Sequence, residues 1–337
     1  MMTSLTNILK KTPRVVVITG ASAGLGRALV RTFASKGDNV ALIARGVDGL
    51  RAAKEEAESM GVRALIFPVD VADAVAMDKA TDEIEDRLGP IDVWINNAMT
   101  SVFSPVKHMK ADEYKRVTEV TYLGQVYGAL CALKKMQERD RGHIIFVGSA
   151  LAYRGIPLQS AYCGAKHAIE GFFDSLRSEL IHDKSHVSIS MVQLPAMNTT
   201  QFGFVKSRLP FKPKPMGTIY EPEVAADVIE YASRNDRREY FVGWPTVQAI
   251  IGNKIAPGIA DHYLAHTGYD SQMTDEPEDI DRQDNLWKPI PGDHGAHGPF
   301  DKAATEVSPL SWMSTHGRTL GALAFFVGSV LLLKLSK

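Results

Sequence analysis

Five apolar or β-branched residues, Val15 to Thr19, pass directly into a turn bearing Gly20, Gly24 and Gly26, and then into an amphipathic stretch that ends near Lys36. This succession of strand, glycine turn and helix constrains the chain more than any other feature. A strand apolar at every position has to be covered on both faces. The rhythm then repeats. Further strands are predicted over 39–44, 63–69, 91–96, 143–147, 187–194 and 240–242, and helices over 47–60, 73–88, 111–137, 158–181 and 222–234. Alternation of this kind implies βαβ units with right-handed crossovers. The expected fold class is α/β: a doubly wound, mainly parallel seven-stranded sheet with helices on both faces. It forms a single domain over 13–260, preceded by a tail over 1–12.

Glycine at the end of the first strand has a chemical use. A pyrophosphate needs close backbone approach, which the absence of Cβ permits. The helix that follows offers free N–H groups and a partial positive charge. Gly20, Ser22, Ala23, Gly24, Leu25 and Gly26 are therefore read as the cradle of a dinucleotide. The end of the second strand in such a sheet lies beside the adenosine ribose. An acidic residue there would repel a 2′-phosphate, whereas this chain has Ala44-Arg45. Arg45 either pairs with that phosphate or is an ordinary surface arginine. The first reading makes NADP(H) the preferred cofactor, with NAD(H) as the alternative.

The glycine spacing is Gly-x-x-x-Gly-x-Gly, and Tyr162-Cys163-Gly164-Ala165-Lys166 follows later. With these two motifs in this order, the chain resembles the short-chain dehydrogenase/reductase family from about Pro13 to Trp244. The resemblance implies a Rossmann-type fold, usually dimeric or tetrameric. It places Asp70 and Val71 at the adenine, Asn97 near the ribose, and Pro195 with Thr199 or Thr200 at the nicotinamide. Asp70 has a second reading, as the cap of the next helix. Three positions depart from the family pattern: Met99 and Ala196 replace glycines, and Thr121 replaces an asparagine that supports a water-mediated proton relay.

Carbonyl reduction needs a hydride from the cofactor and a proton from a placed acid. Tyr162 and Lys166 are four residues apart on a predicted helix and share one face. A nearby ammonium favours the phenolate and so lowers a tyrosine pKa. By resemblance Lys166 also meets the nicotinamide ribose. Ser149 closes the fifth strand and stands 13 residues before Tyr162, where its hydroxyl holds the substrate oxygen. Ser149, Tyr162, Lys166 and Thr121 are the expected catalytic set. His167 is read as structural, His294 and His297 as solvated, and no metal site is expected.

Leu151, Tyr153, Met197, Phe202 and Phe204 would give an apolar substrate surround, with 211–215 as a semi-rigid lid. The reading is therefore an alcohol dehydrogenase or carbonyl reductase for an apolar small molecule. The rivals are a non-enzymatic NADP(H) sensor and a redox-neutral epimerase or dehydratase.

Outside the repeating pattern, 261–316 is acidic and rich in Pro and Gly, and is expected to be an extended arm or poorly ordered. The last segment, 317–337, contains Thr319 to Leu333 without a charge, flanked by Arg318 and Lys334. Fifteen helical residues span roughly 22 Å against a hydrocarbon core of roughly 30 Å. This segment crosses a thin bilayer, lies in the interface, or packs at an oligomer contact. A net charge of −1 gives no reason to expect a nucleic-acid partner. Two cysteines without metal spacing and no secretory leader point to a cytoplasmic protein that is not secreted; the C-terminal segment is the expected means of any membrane association, and the resemblance implies a homo-oligomer.

Overall fold

The computed structural model describes residues 12–316 apart from Ile280. The tail reading for 1–12, Thr12 apart, and the apolar segment 317–337 lie outside the described residues. The seven predicted strands are all present: β1 (Val15–Thr19), β2 (Asn39–Ala44), β3 (Ala64–Pro68), β4 (Ile91–Asn96), β5 (Gly142–Val147), β6 (Val187–Gln193) and β7 (Glu239–Phe241). They form one sheet in the order β7-β6-β5-β4-β1-β2-β3, and every neighbouring pair is parallel. The strand order reverses beside β1. The carboxyl ends of β1 and β4 therefore splay apart there, and a crevice opens between the helices that follow them.

Side chains alternating along each strand feed two cores. On one face, Val16, Ile18, Val40 and Leu42 pack with Ala28, Leu29 and Phe33 of α1 (Gly24–Ser35), Leu50 of α2 (Val47–Ser59) and Val228 of α7 (Pro222–Ala232). On the other, Val15, Val17, Ala41 and Ile43 pack with Ile84 of α3 (Ala74–Leu88), Leu133 of α5 (Gly124–Glu138) and Phe173 of α6 (Ser160–His182). Leu29 and Phe33 are fully buried, and each such side chain stabilises the fold by about 1.5–3 kcal/mol.

The helix expected over 111–137 is interrupted. It comprises α4 (Ala111–Val117), a wide π-type turn over Thr118–Leu123, and α5. At that turn the Thr121 hydroxyl is held from both sides by Thr100, accepting from its N–H at 3.0 Å and donating to its carbonyl at 2.8 Å. A tertiary contact of this kind, made by a side chain within the helix, accompanies the wider turn.

After β7 the chain makes two more helices, α8 (Trp244–Ile255) and α9 (Pro257–Thr267). The polar extension expected to be an unattached arm instead folds back over the domain. Met273–Pro277 pairs antiparallel with Phe211–Pro213, so the proline stretch is part of a two-stranded ribbon. Ala304–Thr305 pairs with Ile219–Tyr220. Composition suggested weak packing, but two short strands and Leu286, which is fully buried against Val102, Val117, Ala161 and Ala165, tie the segment down.

Candidate active site

Three glycines shape the end of β1, each for a different reason. Gly20 and Gly24 have φ of +68° and +56°, a region costly for any residue with a Cβ. A Cβ on Gly26 would lie 1.9 Å from the Gly20 carbonyl oxygen, so only glycine allows the turn to close on the helix. Asn97 braces the same turn, its Nδ2 donating to the Thr19 carbonyl at 2.8 Å. Asn96 is buried and accepts from the Trp94 indole.

A cleft of about 710 Å³ lies over this turn, within the size range of small-molecule sites. Its walls include Gly20, Ser22, Ala23, Gly24, Leu25, Gly26, Arg45, Asp70, Val71, Asn97, Ser149, Tyr162, Lys166, Pro195 and Thr199. All the residues expected at the cofactor thus surround one cavity, together with Met99 and Ala196 at the departing positions. Asp70 accepts from the Ala72 N–H and from Arg116. The cap of α3 is Asp73, which accepts from the Ala76 N–H. Val71 reaches the cleft because α5 begins with Gly124, where a Cβ would meet Val71 at 2.6 Å.

At the other end of the cleft, Ser149 is held by its backbone, its N–H donating to Gln193 Oε1 at 2.8 Å. The Lys166 ammonium is buried, lies 5.5 Å from the centre of the Tyr162 ring, and donates to the Val147 carbonyl at 2.6 Å. Burial pushes the Lys166 pKa down to about 7. Burial also pushes the Tyr162 phenol above its ordinary value, and a hydrogen bond with Ser149 works in the opposite direction. The sequence argument gave the lowering role to the ammonium. In the structure the serine hydroxyl supplies it, because the Lys166 nitrogen sits over the ring and is committed to a carbonyl.

Thr121 is fully buried and does not line the cleft, since both hydrogen-bonding capacities of its hydroxyl go to Thr100. Thr199 and Thr200 both face the cavity, and the buried Thr200 Oγ1 has no partner among protein atoms. Such a hydroxyl suits a ligand amide, and with the glycine cradle it makes these residues fit a nicotinamide dinucleotide. Leu151, Met197, Phe202 and Phe204 line the same space. Tyr153 turns away, donating to Glu170 at 3.0 Å and to Glu239.

The residues that sequence reasoning missed come from distant positions. Arg116 joins Arg45 at the end of β2, and its charge works against that of Arg45. Gln193 holds Ser149. Asn285, Pro289, Ile290, Gly292 and His294, from the extension, form part of the cavity wall. None of these has a local motif that could have announced it.

Comparison with known proteins agrees with the fold. A family described as short chain dehydrogenase matches residues 14–208, more than half of the chain. An uncharacterized oxidoreductase of Bacillus subtilis, YxnA, is 29% identical over 81% of this chain and 78% of its own length. The human dehydrogenase/reductase SDR family member 7 is 36% identical over 50% of this chain, which spans about half (51%) of that relative. Among solved structures, an alcohol dehydrogenase from Thermococcus sibiricus complexed with 5-hydroxy-NADP shares 26% identity, with a TM-score of 0.58 over 68% of this chain and 95% of that one. A metagenomic short-chain oxidoreductase in complex with NADP shares 27% identity at a TM-score of 0.57, covering 68% of this chain and 96% of its own.

Proposed function

The chain belongs to the short-chain dehydrogenase/reductase family of oxidoreductases, and on that premise we propose that it is an NADP(H)-dependent alcohol dehydrogenase or carbonyl reductase acting on an apolar substrate. The observation that carries this reading is that Ser149, Tyr162 and Lys166 face the same cleft as the glycine turn. The cofactor, when bound, supplies or accepts the hydride. The chain's own residues handle the oxygen and its proton. In the reductive direction, the Tyr162 hydroxyl gives its proton to the carbonyl oxygen. The Ser149 hydroxyl holds that oxygen as charge develops on it. The Ser149 hydrogen bond also favours the phenolate left behind, while Lys166, beside the ring, would hold the nicotinamide ribose. In the oxidative direction the phenolate accepts the proton.

Two observations support NADP(H) over NAD(H). Arg45 and Arg116 stand together at the end of β2 opposite one carboxylate, Asp70, which leaves an excess of positive charge where a 2′-phosphate would lie. The two archaeal and metagenomic relatives are also described with NADP-type ligands. Thr200 Oγ1 and Pro195 would hold the nicotinamide amide. Leu151, Met197, Phe202 and Phe204 support the apolar substrate.

Attachment to a lipid surface is a further part of this reading. Among the described residues no helix is long and apolar enough to cross a membrane. The α8–α9 hairpin, however, exposes Trp244, Ile251, Ile255, Ile259 and Tyr263. Gly243, just before α8, donates its N–H to Ser311, beside the exposed Trp312 and Met313. The uncharged 319–333 stretch follows in the sequence.

The test is to follow NADPH oxidation by the purified protein across a panel of carbonyl compounds, with Tyr162→Phe as control. Turnover of apolar carbonyls that vanishes in the variant is expected. NADPH binding without turnover of any carbonyl would favour a sensor, and product formed without net NADPH oxidation would favour an epimerase or dehydratase.

A further inference from the structure

The segment Asn285 to His297 runs along the outside of the nucleotide cleft and is attached at both ends and in the middle. At the β2 end, Arg45 donates to the carbonyls of Asn285 at 2.5 Å and Trp287 at 3.1 Å, and Arg116 donates to that of Leu286 at 3.0 Å. In the middle, the Gly292 N–H donates to Asp48 at 2.9 Å, and Arg27 donates to Asp293 at 2.9 Å. At the glycine turn, the Gly24 N–H donates to the Gly295 carbonyl at 2.9 Å, and His297 bridges to Thr199. Three of the six core residues in these contacts, Gly24, Arg45 and Thr199, line the cleft itself, as do Asn285, Pro289, Ile290, Gly292 and His294 of the segment.

We propose that residues 287–295 are a strap forming the outer wall of the cofactor site, and that its opening sets the rate at which the dinucleotide is exchanged. The proposal rests on the cofactor reading above. The two kinds of attachment have different strengths. Leu286 is wholly buried among apolar side chains, and Phe300 packs edge-on against Phe202 at 5.6 Å. These are fixed points. Ala296, buried in the core, is a third fixed point. From Trp287 to Gly295 the ties are polar apart from the His294 ring, edge-on to Phe204 at 5.3 Å; the Asp293 side chain is 44% exposed, and the buried Arg27 keeps Glu56 as a partner when Asp293 leaves. Gly292 and Gly295 have φ of +98° and +65°, and Pro289 and Pro291 stiffen the stretch before them. A stiff segment with firm ends and weak central ties opens as a unit, without unfolding of the domain.

The strap also bears on which cofactor is held. Arg45, the residue assigned to the 2′-phosphate, is the same residue that grips the strap carbonyls. Phosphate and strap therefore meet at one guanidinium, whose five N–H donors can serve both.

Geometry provides a reversible lock. A Cβ built on Gly46 lies 3.5 Å from the Pro289 Cβ, within the span of a disulfide. Gly46 has φ −81°, so cysteine fits its backbone. Both native cysteines are free and buried. The experiment measures NADPH release by stopped-flow fluorescence from the full chain carrying Gly46→Cys and Pro289→Cys, oxidised and then reduced, alongside Asp293→Ala. Release at least ~10-fold slower in the oxidised form, restored by dithiothreitol, and faster than wild type in Asp293→Ala is expected. Because one protein is compared in two redox states, a folding defect would affect both. Equal release rates in the oxidised and reduced forms, with the disulfide confirmed by mass, would overturn the strap and leave the cofactor reading intact. Failure of the wild type to bind either NADPH or NADH would remove the cofactor reading and the strap with it.

Discussion

The inner and outer walls of the nucleotide cleft are built on opposite principles. The inner wall is backbone. Gly20, Gly24 and Gly26 follow β1 within a dozen residues and allow one path, because any Cβ would clash or be strained. The outer wall is held by side chains reaching across the sequence: Arg45 to Asn285 spans 240 residues, and Arg27 to Asp293 spans 266. A wall set by local sterics cannot move without unfolding. A wall set by long-range polar contacts has a low cost of opening. On the proposed function, rigidity lies where phosphates and hydride geometry would be fixed, and the proposed strap where the ligand would pass.

Substitutions can break or sharpen this contrast. The largest effect is expected at the chemical end of the inner wall. Tyr162→Phe should lower kcat by about 10³-fold, near the middle of the range for a lost general acid, while NADPH titration gives an unchanged Kd. A parallel loss of binding would show that the phenol is structural. Next comes the sheet itself. Buried His143 on β5 pairs with Ser190, and burial depresses its pKa to about 4. A folded value below the ordinary 6.5 stabilises the native state fully above pH 6.5, and this contribution is lost as pH falls toward 4, by up to about 3 kcal/mol. Urea midpoints across that window should fall in the wild type and flatten in His143→Gln.

Gly26→Ala should reduce NADPH affinity by roughly 30-fold, since the turn must shift to admit the methyl group. Calorimetric titration reads this directly, and an unchanged Kd would mean that the turn is softer than its geometry implies. On the outer wall the effect is smaller and selective. Arg45→Ala should weaken NADPH about 10-fold more than NADH, the worth of one charge-assisted pair. Equal losses would assign the arginine to the strap alone. The smallest catalytic change is expected at Thr121→Val, with kcat within about threefold of wild type and stability lower by about 1 kcal/mol, because the hydroxyl serves Thr100. A displaced pH–rate profile would return Thr121 to the proton path.

The same contrast explains what could be read before the structure. Apolar strands, the glycine turn, and the spacing of Ser149, Tyr162 and Lys166 are local patterns, and each is set by sterics or helical periodicity over a few residues. They located the sheet, the crevice and the cavity wall. The interrupted helix at Thr118–Leu123 was not legible, because the contact that accompanies it is to Thr100, a tertiary neighbour. The outer wall was not legible either. A stretch rich in Asp, Pro and Gly buries little apolar area, and composition ranks it as disordered. Its order comes instead from single anchors such as Leu286, and from arginines whose pairing partners no periodicity reveals.

Gln193 sits at the meeting point of two parts of the molecule. Its amide oxygen fixes the Ser149 backbone, and its nitrogen donates to Glu170 on α6 and Glu239 on β7. The edge strand of the sheet is thereby wired to Ser149, the residue proposed above to hold the reacting oxygen. Damage at that margin, such as a clipped loop or an edge-to-edge aggregate that peels β7 away, would silence turnover before the bulk of the domain had lost its shape.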